Sequence, residues 1–203
     1  MVKSRTFFSK ERLGDDYRKF LYGSDVNRYR LNWSGEYLKY GKHLAAPRSP
    51  KLFEGERILI RRIPAKSEHA IIAMLTDGEY VNEQSLTNCF DLKANPKFLL
   101  GVLCSKVITY WTLHKFDLFQ RKTFPQMRAY QMKEFPIPNV SQEEQNILAS
   151  LVEKQIELHS LSEPTEKDRE EMKNLDIEID KYVMDLFKLS EEEKQVIRDF
   201  TVE

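Results

Sequence analysis

The sequence predicts an α+β fold: a small antiparallel sheet body with packed helices, followed by a C-terminal helical hairpin and a short closing helix. Three observations predict it. Short apolar runs, cut by Pro and an Asp-Gly turn, follow one another between residues 57 and 92. Apolar residues then recur at three- and four-residue steps from Phe98 to Trp111, and again from Ile147 to Phe200. Two Ser-x-x-Glu capping boxes, Ser141/Glu144 and Ser190/Glu193, each open one of the later helical runs. The 203 residues suffice for one domain, or for one domain with a helical appendage.

Residues 1–56 mix Tyr, Trp and Arg with Gly and Pro and hold no long apolar period, which predicts short strands and loops. Arg57–Ile63, "RILIRRI", reads as a strand. Ile58, Ile60 and, continuing the alternation, Arg62 fall on one face, and Pro64 ends it. "HAIIAMLTD" reads as a second strand before the Asp77-Gly78 turn, and "YVNEQSLTNCFDL" as a third strand or strand pair. Together they predict an antiparallel meander. Asn95-Pro96 opens a helix, with proline at a first-turn position and a break near Ser105. "HKFDLFQRKTF" is a basic, aromatic connection. A restart is expected at Ser162-Glu163-Pro164, before Met172, Leu175, Ile179, Tyr182, Val183 and Leu186. The expected division is an α+β body at 1–140 and a helical support at 141–203.

The formal net charge of zero conceals a split. Residues 1–140 hold 24 Lys and Arg against 14 Asp and Glu, a net of +10, and residues 141–203 hold 8 against 18, a net of −10. An anionic partner for the first part is one explanation; mutual attraction of the two parts, or ordinary solvated faces, is the other. The most apolar window, Phe98–Leu113, is too short to span a bilayer and carries Lys106, so no membrane association is expected. Cys89 and Cys104 lack metal or disulfide spacing, so a reducing, cytoplasmic setting is expected.

The inventory disfavours a stand-alone enzyme. His43, His69, His114 and His159 are scattered, and there is no GxSxG motif. Seven glycines leave no room for a phosphate-cradling loop. No catalytic residue, metal ligand or cofactor is assigned within the chain. Basic residues interleaved with aromatics are plentiful instead: Arg28, Arg30, Lys39, Lys42 and Arg48 lie among Tyr29, Trp33, Tyr37 and Tyr40. Lys115, Arg121, Lys122 and Arg128 lie among Phe116, Phe119, Phe124 and Tyr130. On loops this pattern suits a duplex-binding surface; in a core it is packing with a charged rim.

Several segments, taken in order, resemble one family. They are "FLYGSDVNRYRLNWSGEYLKYG", "GERILIRRI", "AIIAMLTDGEYVNEQSLTNCFDL", "KFLLGVLCSKVITYWTLHKF", "FPQMRAYQMKEFPIPNVSQEEQ" and "EIDKYVMDLFKLSEEEKQVI". The family is the TaqI-like C-terminal specificity domain. It is the target recognition domain of adenine-specific DNA methyltransferases and of fused type IIG restriction-modification enzymes. The resemblance runs from about Tyr22 to the C-terminus. It departs at Cys104, where the family pattern has Asn, and the Asn/Asp-Pro-Pro-Tyr/Phe catalytic loop, the glycine-rich cofactor motif and a nuclease motif are absent.

The resemblance implies a target-recognition module that contacts double-stranded DNA and positions an adenine for a catalytic domain outside this chain. A methyltransferase domain, with or without a nuclease, would be its partner, and S-adenosylmethionine would belong to that parent enzyme. Arg61, Arg62, Lys66, Arg121 and Lys122 are the candidates for phosphate contact. Gln84, Ser85, Gln126 and Arg128 are the candidates for base edges. Two alternatives stand beside this reading. One is a protein-interaction or dimerisation module using the acidic helices. The other is a free-standing nuclease, which would need clustered carboxylates and a metal.

Overall fold

The computed structural model describes residues 5–116 and 126–202. The fold is α+β. In the first 56 residues the strands are short: β1 (Phe8–Ser9), β2 (Tyr17–Leu21), β3 (Val26–Asn27), β4 (Arg30–Leu31) and β5 (Tyr37–Lys39). They are followed by β6 (Arg57–Arg61), β7 (Ala73–Thr76), β8 (Tyr80–Asn82) and β9 (Leu86–Cys89). The helices are α1 (Pro96–Leu103), α2 (Lys106–Lys115), the single turn α3 (Ala129–Met132), α4 (Gln142–Ser160), α5 (Glu166–Leu186) and α6 (Glu191–Asp199).

The strands form three sheets, ordered β1-β5-β2-β8, β3-β4 and β7-β6-β9. The expected meander is therefore rearranged. β6 is central, with β7 and β9 antiparallel on its two sides. β8 leaves to pair in parallel with β2, where Val81 joins Phe20, Leu38 and Phe53 in a separate core. β6 itself is shared between two cores. Ile58 and Ile60 face the large helical core, whereas Leu59 packs with Leu21, Val26 and Leu86 on the opposite side, as the two-residue side-chain period requires.

Local signals set the helix ends. Asn95 Oδ1 accepts from the Lys97 and Phe98 N–H groups, with Pro96 at the first position. α1 stops at Leu103, and Ser105 Oγ accepts the Ile108 N–H to restart the chain as α2. Ser141 and Ser190 close reciprocal boxes with Glu144 and Glu193. The helix expected to restart at Ser162 begins later: Thr165 is its cap, boxed with Asp168, and Glu166 is its first residue.

α4 and α5 pack as an antiparallel pair, and α4 lies directly on α1. Close approach there depends on Gly101. A Cβ at that position would stand 2.7 Å from Val152 Cγ2 and 3.1 Å from Leu148 Cγ. The apolar stripes of the acidic helices (Leu148, Leu151, Val152, Leu175, Ile179 and Val183) are thus buried within the chain, against the helices that follow the sheet. Among the described residues, no helix is long and apolar enough to cross a membrane.

Candidate nucleic-acid interface

At the end of β6 the chain brings three separated stretches together, and Arg62 is the residue that joins them. Its main-chain N–H donates to the Ser85 carbonyl at 2.8 Å, and its carbonyl accepts the Met127 N–H at 2.7 Å. Its guanidinium repeats both ties: Nε donates to the Met127 carbonyl at 3.1 Å and Nη1 to the Gln84 carbonyl at 3.1 Å. Four hydrogen bonds from one residue therefore hold the 84–85 turn and the 126–128 segment beside the strand end. Arg62 commits two of its guanidinium donors to backbone.

The 126–128 segment is presented by a peg. Met127 is fully buried, and Gln126 and Arg128 on either side of it are exposed. This is the geometry of extended chain, in which neighbouring side chains point opposite ways; Arg128 has φ −97° and ψ 153°. The Arg128 N–H donates to Gln131 Oε1 at 2.8 Å, which starts α3 and fixes the segment's direction.

The 84–85 turn is buttressed from the N-terminal sheet. The Leu86 N–H closes the turn onto the Glu83 carbonyl at 3.3 Å, leaving Gln84 exposed near its tip. Ser85 Oγ donates to Glu83 Oε1, which also accepts the Gly23 N–H at 3.1 Å. A Cβ at Gly23 would stand 2.8 Å from Ser85 Oγ, so the two turns touch only because residue 23 is glycine. Asp25 holds its own turn by accepting the Tyr22 N–H at 2.8 Å. Burial pushes the Asp25 carboxyl above the usual carboxylate range.

Arg61 closes β6 opposite Leu86 and is half-buried; Lys66 is exposed on the connection to β7. That connection is pinned to the helices. Ala70 N–H donates to Thr109 Oγ1 at 2.9 Å, and His69 Nε2 lies 2.8 Å from Asp180 Oδ2. Asp180 Oδ1 accepts the Lys106 N–H at 2.8 Å, and Lys106 Nζ reaches Glu68 at 3.1 Å and the Arg198 carbonyl at 2.7 Å.

The candidate cations differ from others in the chain. Arg18, Lys39, Lys97 and Lys194 all form ion pairs, but Arg61, Arg62, Lys66 and Arg128 form none with a described residue. They leave positive charge available at one end of the β7-β6-β9 sheet. The candidates Arg121 and Lys122, with Phe124-Pro125, lie outside the described residues. Of the base-edge candidates, Gln84, Gln126 and Arg128 are exposed, while Ser85 has its hydroxyl engaged by Glu83.

Other expectations change. Arg28, counted with the basic-aromatic cluster, is unavailable as a surface cation. It forms a two-pronged ion pair with Asp176 and donates to the Cys104 carbonyl at 3.2 Å. Its partner is remote in sequence, so no local pattern could show it. Cys104 is fully buried, and burial pushes its thiol up to about 12, so the family's Asn position is occupied here by packing. Glu83, which shapes the turn, carries no sequence signal of its own, and Gly23 stands out only as part of the family-like "FLYGSDVNRYRLNWSGEYLKYG" segment. Among the described residues, no group of three or more His, Cys, Asp or Glu is placed to hold a metal.

The sequence profile of the TaqI-like C-terminal specificity domain matches residues 18–137. The chain belongs to that family. No curated protein matches it. Among solved structures, it is similar to the type IIL restriction-modification enzyme MmeI, determined in complex with DNA. The TM-score is 0.58 at 10% sequence identity, with 91% of this chain and 31% of MmeI covered. The likeness is one of fold, and this chain spans about a third of that enzyme's length.

Proposed function

We propose that this chain is the sequence-specific DNA-binding module of a restriction-modification adenine DNA methyltransferase. It contacts duplex DNA and positions the target adenine for a catalytic domain outside the 203 residues. The observation that carries this reading is the convergence at Arg62. A turn bearing Gln84 and an extended segment bearing Gln126 and Arg128 stand side by side, beside cations that have no carboxylate partner among the described residues. Family membership and the fold of an enzyme solved with DNA support it.

The chemistry follows from the residue types. Lys and Arg neutralise phosphates and release counterions, which gives affinity without sequence preference. Gln and Arg side chains match the donor and acceptor edges of adenine and guanine in the major groove. Arg62 serves the second task indirectly, by fixing where the two reading segments stand. The α4–α5 pair spends its apolar faces on α1, which supports a scaffold role rather than an exposed docking role. In the parent enzyme, a methyltransferase domain would supply S-adenosylmethionine and take the adenine out of the stack. A cytoplasmic site of action fits this assignment.

Fluorescence anisotropy with a pool of random-sequence duplexes over a salt series tests the reading. Four phosphate contacts, at Arg61, Lys66, Arg121 and Lys122, predict a slope of log affinity against log salt of about −4. Absence of binding at low salt, or binding without salt dependence, would overturn it. Selection from the pool should then enrich a defined site.

A further inference from the structure

Resting on the DNA-binding reading above, we infer that Tyr130 is a stacking residue of the interface, one that inserts its ring against a base at an opened step of the duplex. The exposed large hydrophobics include two aromatics, Phe90 and Tyr130, the latter 61% exposed. Phe90 follows Cys89, which pairs with Ile58 near the start of β6, so it lies at the far end of the sheet. Among the described residues, Tyr130 is the exposed ring at the end where Gln84, Gln126 and Arg128 converge.

Its platform is fixed rather than floppy. Three residues before it, Met127 is fully buried and bonded through both N–H and carbonyl to Arg62. The N–H groups of Gln131 and Met132 donate to the Arg128 carbonyl at 2.9 and 3.2 Å, closing the turn around Tyr130. The ring makes no ring–ring contact with a described residue, whereas Trp111, Tyr110, Phe20 and Tyr40 all do. An exposed ring on a rigid backbone suffers little further loss of freedom on stacking. Every base offers it a π-face, whatever the sequence. The neighbouring Arg128 would read a base edge beside the opened step while the ring enters.

The test uses the 203-residue chain with two duplexes of one sequence, one fully paired and one with a single mismatch that lowers the cost of unstacking. The wild type should bind the mismatched duplex several-fold more tightly. Tyr130→Ala should weaken binding to it about tenfold and abolish the preference, with the salt slope unchanged because no phosphate contact is lost. Tyr130→Phe should restore both. Circular dichroism checks that the fold is kept. Equal binding by wild type and Tyr130→Ala would overturn this inference alone, as would a slope change of about one. If the wild type binds neither duplex, the DNA-binding reading falls with it.

Discussion

β6 begins at one arginine and hands over to another, and the two ends of the strand treat that side chain differently. Arg57 is wholly buried. Its guanidinium donates to the carbonyls of Gly55, Gly78 and Tyr80 and to Asn88 Oδ1, at 2.9 to 3.2 Å. Burial lowers its pKa from the ordinary value. Arg62, at the other end, makes a comparable bracket but remains half-exposed, and the segments it joins carry exposed Gln84, Gln126 and Arg128. Both arginines gather backbone carbonyls. At the Arg57 end the gathered segments expose carboxylates, Glu54, Glu56, Asp77 and Glu79, which repel phosphate, whereas at the Arg62 end they expose neutral amides and a cation. An arginine at a strand end is thus no evidence of a ligand surface; what its neighbours expose is.

The contrast can be broken from either side. Arg57→Ala strands several buried acceptors and should cost about 3–5 kcal/mol in urea unfolding. A loss below about 1 kcal/mol would mean that end is not sealed by Arg57. Arg128→Ala should leave unfolding unchanged yet cost about 1–3 kcal/mol in discrimination between the selected site and its single-base variants, read by competition anisotropy. A loss of stability there would move Arg128 from the interface into the fold. Arg62→Ala should cost about 1–2 kcal/mol of stability, since its lost bonds lie at a half-open site. It should also blunt discrimination while leaving the salt slope intact, whereas Lys66→Ala should reduce that slope by about one.

The smallest effect lies in the N-terminal sheet. Tyr22 donates its hydroxyl to Glu36 at 2.5 Å, with Lys10 and Arg5 nearby, and the Tyr22 bond first of all holds this carboxyl below its usual range. A depressed carboxyl stabilises the fold above the ordinary glutamate pKa, and that contribution fades as pH falls through the folded-state value. The unfolding midpoints of the wild type and Glu36→Gln should therefore differ at neutral pH, and the difference should shrink once the pH falls below the ordinary glutamate pKa of about 4.3.

What could be read from the sequence was what is local. Asn95-Pro96, the break at Ser105 and the boxes at Ser141 and Ser190 involve groups within four residues of each other, and all four stand in the structure. The β8–β2 pairing joins residues some sixty positions apart, and Arg28–Asp176 joins residues 148 apart. No residue type announces such partners. The candidate site shows the same boundary. Gln84, Gln126 and Arg128 have the chemistry of base readers and stand exposed at one end of a sheet. That Arg62 would bind carbonyls rather than stand free, and that Gly23 and Glu83 would shape the turn, depends on chain crossings with no local signature. Thr165 was missed because proline at 164 drew the helix start toward Ser162, although the box with Asp168 is itself local.

The double duty of β6 has a consequence for how the molecule opens. Because Ile58 and Ile60 wall one core while Leu59 walls the other, neither core can melt and leave the strand in place. Amide protons at these three positions should be the last to exchange with solvent, released only when the whole chain unfolds, whereas that of Gln84, near the exposed tip of its turn, exchanges through a small local opening. A strand that lets go only with the whole chain keeps the aim of the reading edge while the side chains on that edge adjust to each DNA sequence they meet.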